Sequence, residues 1–103
     1  MEETSREVAV VNRLGLHARP AAEFVKLSSS FAATIFVAKG ELEVNGKSIM
    51  GVMMLAAEAG SVLRIRAVGA DGLDAVEALC ALVSDHFGEG DPDMYAEKAE
   101  GVE

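Results

Sequence analysis

The chain is poor in the residues that build cross-linked, metal-binding or nucleic-acid-binding domains. Its single cysteine, Cys80, leaves no disulfide framework and no thiolate metal cluster. Only 9 basic residues stand against 17 acidic ones and 5% of residues are aromatic, so the basic surface of a nucleic-acid-binding protein is missing. No hydrophobic run reaches the roughly 20 residues that a membrane span needs. We therefore expect no nucleic-acid partner and no membrane insertion.

The length and the charge distribution indicate one compact domain followed by an acidic extension. A chain of 103 residues, 50% of them hydrophobic, can bury one core. Of the net charge of −8, residues 88–103 carry −5, from six acids and one lysine. We interpret this segment as a flexible extension. The acidic start of the chain is atypical of a secretory signal, so we expect a cytoplasmic protein.

Hydrophobic patterning predicts seven elements in the order β-α-β-β-α-β-α. Short β-branched or alternating segments predict strands at 6–11, 34–38, 41–44 and 62–68, with a hairpin between the second and third. Apolar residues at helical spacing predict helices at 18–29, at 49–55, and from an Asp71 cap through Phe87 to Gly88. In the last strand, apolar residues alternate with Arg64 and Arg66, which predicts one face toward water. These elements predict a two-layer α+β domain.

The segment between the first strand and the first helix holds the candidate site. Proline is tolerated in the first turn of a helix, so Pro20 places the helix start near His17 or Ala18. His17 then lies where Ser, Thr, Asp or Asn would normally cap the helix. The amides of Ala18, Arg19 and Ala21 are left available to an anion, most naturally a phosphate, because a helix N-terminus carries partial positive charge.

We hypothesise that His17 accepts and donates a phosphoryl group, with the Arg19 guanidinium stabilising its charge. One alternative is a surface histidine beside a proline-started helix. Another is a small hydrolase with His17 as general base, for which no nucleophile is evident. His86, the second of two histidines, is interpreted as structural or solvent-exposed, and no metal site is expected. Cys80 is interpreted as a small core residue.

The second candidate feature is Ser48 and the helix that follows it. Ser48 is a favourable N-cap, and a phosphoserine there would add a charge of about −1.5 to −2. The apolar residues of this helix lie around its whole circumference: Ile49, Met50, Val52, Met53, Met54 and Leu55. They exceed what one side of a two-turn helix can bury, so some must be exposed. Exposed methionines suit a surface that docks several partners.

Two motifs resemble those of the HPr family, the histidine-containing phosphocarriers of the bacterial phosphoenolpyruvate-dependent sugar phosphotransferase system. One motif is Asn12-x-x-Gly15-Leu16-His17-Ala18-Arg19-Pro20-Ala21-Ala22, and the other runs from Val44 through Asn45-Gly46-Lys47-Ser48 to Leu55. The resemblance covers about residues 5–87, which we take as the HPr-like domain. It implies an open-faced β-sandwich, a four-stranded antiparallel sheet with three helices on one face.

The resemblance also implies a stoichiometric phosphocarrier that is not an enzyme, needs no cofactor and acts as a monomer. His17 would be phosphorylated at Nδ1 by enzyme I and would pass the group to an enzyme IIA. Arg19 and the amides of Ala18 and Arg19 would hold the phosphoryl group.

The second motif implies regulation and docking. Ser48 would match the serine that an HPr kinase/phosphorylase modifies, and Ile49, Met50 and Met53 would match docking positions. Two alternatives stay open: a mainly regulatory phosphoprotein that acts through Ser48, and a carrier of the nitrogen-related phosphotransferase relay.

Overall fold

A computed structural model describes residues 2–88 and confirms the predicted β-α-β-β-α-β-α order. The elements are β1 (Glu3–Ala9), α1 (Ala18–Ser29), β2 (Thr34–Lys39), β3 (Leu42–Asn45), α2 (Ile49–Met54), β4 (Val62–Val68), α3 (Gly72–Ser84) and a 3-10 turn (His86–Gly88). Apart from Gly88, the predicted acidic extension lies outside the described residues. No helix in the described part of the chain has the length and hydrophobicity to cross a membrane.

The four strands form one antiparallel sheet in the order β1-β4-β2-β3. β4 is central, with Ile65 opposite Arg6 of β1 and Val37 of β2. β2 and β3 form the predicted hairpin, in which Lys39 faces Leu42 across two residues. Gly40 occupies that turn with a φ of 60°, a conformation that glycine adopts at little cost.

The core lies between one face of the sheet and the three helices. The alternation in β4 is confirmed, because Leu63, Ile65 and Ala67 are fully buried while Arg64 is exposed. The helices contribute Phe24 from α1, Val52 from α2 and three fully buried residues from α3, namely Val76, Leu79 and Val83. The molecule is therefore an open-faced β-sandwich, with the second face of the sheet toward water.

Arg66 organises the solvent-facing side of the sheet. Its Nη2 and Nε donate to the two carboxylate oxygens of Glu43 at 2.9 and 3.1 Å, and Nη1 donates to Glu3 at 3.3 Å. The guanidinium also lies 4.1 Å from the centroid of the Phe36 ring. Hydrogen bonding to Arg66 lowers the pKa of the Glu43 carboxyl. This cluster joins all four strands across the open face, with Glu3 on β1, Arg66 on β4, Phe36 on β2 and Glu43 on β3.

Two predicted boundaries were wrong. The first strand covers Glu3–Ala9 and stops before Val10, whose N–H and C=O bond to the turn at Gly60 and Ser61 instead. The last helix ends at Ser84, so His86 and Phe87 belong to the 3-10 turn and have left-handed φ values of 57° and 55°. This reversal places the Phe87 ring in the core, only 1% exposed, and burial of a large ring outweighs the local backbone preference.

Asp71 lies at the N-cap position of α3, as predicted, but its side chain makes no cap hydrogen bond. Its two carboxylate oxygens accept from the amides of Ala32 and Ala33, each at 2.8 Å. The bond to Ala32, with that to Ala33, lowers the pKa of the Asp71 carboxyl. The residue therefore joins the start of α3 to the loop before β2.

Cys80 lies on α3 and is half-buried, where it packs against the core. Burial raises the pKa of its thiol. The interpretation as a small core residue is confirmed only in part, because Cys80 packs against the core but is not fully buried.

Candidate functional site

His17 is the N-cap of α1, which begins at Ala18 as predicted. Its φ of −87° and ψ of −168° are extended, and its side chain makes no cap hydrogen bond to the helix. The side chain is half-buried, whereas Ala18 and Arg19 are exposed. The helix begins here without a Ser, Thr, Asp or Asn cap, and a departure from that preference often marks a functional position.

We expected the amides of Ala18, Arg19 and Ala21 to be available to an anion, and the structure contradicts this for Ala21. The Ala21 amide donates to the carbonyl of His17 at 3.0 Å, so it closes the first helical turn and is not available to an anion. The amides of Ala18 and Arg19 precede this first intrahelical bond and lie at the N-terminal end of α1. They are therefore the amides that can point toward a group bound at His17.

The charges of the first turn suit an anion. The first turn of α1 contains no acidic residue, and Arg19 adds a guanidinium to the partial positive charge of the helix N-terminus. Within residues 2–88, no group of three or more His, Cys, Asp and Glu side chains is arranged to hold a metal ion. A helix N-terminus and a guanidinium are groups that favour an anion such as a phosphoryl group.

The loop that leads into His17 is held by close backbone contacts. Gly15 has a φ of +73°, and a Cβ built there would lie 2.4 Å from the carbonyl oxygen of Ala57. The Leu16 amide donates to that same carbonyl at 2.8 Å, and the Leu16 side chain is buried. Only glycine fits at position 15 with this conformation and this neighbour.

The sequence predicts no role in the site for Asn12, which lies within the first motif, and none for Ala57. Asn12 is fully buried, and its Nδ2 donates to the carbonyl of Gly15 at 2.6 Å. The signal that was available is the spacing Asn-x-x-Gly, since Asn side chains often bond to nearby backbone in turns. Nothing in the sequence indicates the contact to Ala57, which is distant along the chain.

Ser48 is the N-cap of α2, as predicted, and its Oγ accepts from the Gly51 amide at 3.0 Å. Val52 and Leu55 are buried and hold this short helix to the core. The other apolar residues of α2 are exposed, as expected: Ile49 45%, Met50 76%, Met53 41% and Met54 65%. α2 packs against α1, so this apolar surface belongs to the same layer as the helix that begins at His17.

His86, the other histidine, lies in the 3-10 turn after α3. Leu14, at 64%, and Val11, at 44%, are further exposed apolar side chains in the loop before His17. Exposed apolar residues therefore lie on both the loop before His17 and α2.

A family profile described as "PTS HPr component phosphorylation site" matches residues 4–85. The chain is 44% identical over 86 residues to the phosphocarrier protein HPr of Neisseria meningitidis, which covers 84% of this chain and 97% of that protein. It is 37% identical over 89 residues to the phosphocarrier protein NPr of Shewanella violacea, covering 86% and 98% of the two chains.

Solved structures agree with the sequence comparisons. The structure is similar to that of a phosphocarrier protein HPr from Bacillus anthracis, with a TM-score of 0.75, 44% identity, and coverage of 79% of this chain and 96% of the other. It is also similar to an HPr dimer from Thermoanaerobacter tengcongensis, with a TM-score of 0.67, 45% identity, and coverage of 86% and 100%. The family profile, the similar sequences and the similar structures all agree with the open-faced β-sandwich and with a helix whose N-cap is His17. The chain therefore belongs to the HPr family of phosphocarrier proteins of the phosphotransferase system.

Proposed function

We propose that this phosphocarrier accepts its phosphoryl group on Nδ1 of His17 from phospho-enzyme I and passes it to an enzyme IIA. A lone pair of the imidazole attacks phosphorus, the bond between phosphorus and enzyme I breaks, and the reverse sequence on enzyme IIA regenerates His17. The observation that supports this most is that His17 occupies the N-cap position of α1 and its side chain makes no cap hydrogen bond. The phosphoryl group is cargo, and the protein is a stoichiometric carrier.

The helix start supplies the charge stabilisation that phosphoryl transfer requires. The transferring group carries negative charge on its oxygens, and the amides of Ala18 and Arg19 with the Arg19 guanidinium are donors at the mouth of α1. We assign phosphoryl binding to these two residues. The absence of an acidic residue in the first turn of α1 supports this assignment, because no carboxylate there repels the incoming group.

We assign partner docking to α2, through Ile49, Met50 and Met53. These side chains are exposed on a helix whose buried residues already hold it in place, so they can contact a partner without refolding. The partners are enzyme I, enzyme IIA domains and an HPr kinase/phosphorylase, each meeting this protein as a monomer. The cytoplasm, where these partners meet, is the proposed location, and residues 5–87 are the domain that docks.

Ser48 is the proposed regulatory site, next to that docking surface. A phosphate on Oγ keeps the favourable position at the start of α2 while adding negative charge beside apolar contacts. Ser48→Asp is expected to slow transfer from enzyme I. Unchanged kinetics in that variant would remove the proposed regulation and leave the carrier role intact.

A second candidate is the nitrogen-related relay, favoured by the likeness to the phosphocarrier protein NPr of Shewanella violacea. Both branches use the same chemistry at His17, so the acceptor decides between them. Incubating the phosphorylated protein with a sugar-specific enzyme IIA and with the nitrogen-related one separates the two, since the physiological acceptor takes the phosphate faster.

The carrier role is tested by incubating the protein with enzyme I and labelled phosphoenolpyruvate. The wild type and His86→Ala are expected to take up one acid-labile phosphate, and His17→Ala none. His86→Ala is a matched control because it removes the other imidazole of the chain. Equal labelling of His17→Ala and the wild type would contradict the proposal.

A further inference from the structure

Asn12 is a fully buried polar side chain beside the site, and stability alone does not account for it. Its Nδ2 donates to the carbonyl of Gly15 at 2.6 Å. Its Oδ1 is buried and accepts no hydrogen bond from any residue in the range 2–88. A buried acceptor without a partner costs about 1–3 kcal/mol, which is comparable to what the single bond from Nδ2 contributes. The Asn12 side chain therefore adds little to the stability of the fold, and its presence in the core calls for a different explanation.

The bond from Asn12 holds one edge of the peptide plane between Gly15 and Leu16. The carbonyl of this plane, on Gly15, accepts from Asn12, and its N–H, on Leu16, donates to the carbonyl of Ala57 at 2.8 Å. Because the C=O and N–H of a trans peptide point in opposite directions, the two bonds fix the plane from both sides. The side chain of Leu16 is buried in the core and also restrains this peptide plane.

This peptide plane immediately precedes His17. The amide of His17 donates to the same Gly15 carbonyl at 3.1 Å, so that oxygen receives two donors, one from each side of the turn. The carbonyl of Asn12 in turn accepts from the Gly15 amide at 3.1 Å. A rotation of this plane would thus break the bond to the His17 amide and change the direction in which the imidazole leaves the backbone.

We propose that Asn12 is a positioning residue for phosphoryl transfer, which holds the Gly15–Leu16 peptide so that His17 presents its ring at the start of α1. The inference rests on the proposed transfer at His17 and adds a residue that does not touch the phosphoryl group. Asn12 is 0% exposed, so its side chain is not itself part of the exposed apolar surface that would meet a partner. Its loss should therefore change the transfer step and leave docking unchanged.

The test is the steady-state rate of phosphorylation by enzyme I, with this protein as the varied substrate. Asn12→Leu, which keeps the branched shape of the side chain and has no donor, is expected to lower kcat at least tenfold with KM unchanged. Asn12→Ser, which keeps a hydroxyl donor in a smaller side chain, is expected to retain more of kcat than Asn12→Leu and is the second variant if the first does not fold. Unchanged kcat in folded Asn12→Leu overturns the proposal, as does a rise in KM alone.

Ser28→Ala is the matched control. Ser28 is also fully buried with an unpartnered side-chain oxygen, but it lies eleven residues after His17 along α1, or about 16 Å at 1.5 Å per residue. Removing its hydroxyl perturbs the core without touching the Gly15–Leu16 peptide. Ser28→Ala is expected to leave kcat unchanged. An equal loss of kcat in Ser28→Ala and Asn12→Leu would show a general packing effect and would overturn the assignment.

A measurement without enzyme I separates this inference from the proposed function. Amide hydrogen exchange of Leu16 and the NMR resonances of the His17 ring report the peptide plane and the ring orientation directly. In Asn12→Leu we expect faster exchange at Leu16 and a shifted His17 ring, with both unchanged in Ser28→Ala. If the wild type accepts no phosphate, the proposed function fails, while unchanged exchange and ring resonances in Asn12→Leu defeat the positioning role by itself.

Discussion

At the scale of single residues, Gly15 meets a stricter steric requirement than the other glycines compared within residues 2–88. It combines a φ of +73° with a backbone oxygen 2.4 Å from the position of a Cβ. Gly40 has a similar φ of +60°, yet a Cβ there would meet nothing within 4 Å. Comparing substitutions at the two glycines therefore separates two free-energy costs: that of a left-handed backbone, which both share, and that of the contact between a Cβ and the Ala57 carbonyl, which only Gly15 has.

Gly15→Ala should lower the free energy of unfolding more than Gly40→Ala does. We expect about 1 kcal/mol for Gly40→Ala, from the left-handed conformation alone, and at least about 1 kcal/mol more for Gly15→Ala. Urea denaturation of the two variants measures both values. Equal losses would mean that the loop before His17 relaxes without cost, and that its close approach to Ala57 does not hold the site.

Ser48 has a structural role that is separable from any phosphorylation. Its Oγ caps α2, so Ser48→Ala should lower the free energy of unfolding by about 1 kcal/mol, measured by thermal or urea denaturation. Ser84→Ala, at the exposed last residue of α3, is the control and should change stability little. No loss of stability in Ser48→Ala would contradict the capping bond.

At the scale of the elements, α2 has a buried side that holds it and an exposed side that is open to partners. Met50 is 76% exposed, so Met50→Asn should leave stability unchanged while weakening docking. A loss of about 1 kcal/mol in binding corresponds to roughly a fivefold rise in the KM for enzyme I. Val62→Asn is the control, since Val62 is 51% exposed on the open face of the sheet. Equal effects of the two substitutions on KM would remove α2 as the docking element.

The link between α3 and the loop before β2 depends on the charge of Asp71. The pKa of its carboxyl is lowered in the folded protein by the amides of Ala32 and Ala33. A lowered pKa stabilises the fold above the ordinary carboxyl value, and this stabilisation is lost as the pH falls through the folded value. Asp71→Asn should therefore reduce stability at neutral pH and weaken the decline of stability in acid.

Urea denaturation as a function of pH tests this link. Glu77→Gln, at an exposed position in the middle of α3, is the control and should leave the pH profile unchanged. If Asp71→Asn shows the same acid decline as the wild type, the carboxylate is not the group that joins the two elements.

At the scale of the whole molecule, the sequence predicts what depends on short-range pattern. The alternation in β4, the apolar face of α1 and the excess of apolar residues on α2 each follow from the period of one element, and the structure confirms them. The helix start at Ala18 was also predictable, because Pro20 allows few positions for it.

The features that the sequence did not predict depend on contacts between distant segments. The position of Asp71 before a helix predicts a side chain that caps that helix. Its carboxylate instead accepts hydrogen bonds from amides 38 and 39 residues away, which the local sequence does not indicate. The sequence spacing of α3 includes Phe87 as a helical position. In the structure the helix ends before Phe87, because the chain turns there and buries the Phe87 ring in the core. The loop before His17 is likewise held by a hydrogen bond from the Leu16 amide to the carbonyl of Ala57, a residue that only the tertiary fold brings close.

The central claim is that the protein carries its phosphoryl group on one imidazole, and histidine NMR tests it most directly. The chain contains two histidines, so a sample labelled with 15N in histidine alone gives a simple spectrum. After incubation with enzyme I and phosphoenolpyruvate, we predict a large shift of the Nδ1 resonance of His17 and none for His86. Phosphorylation at His86, or a phosphorylated protein in which neither imidazole shifts, would contradict the account.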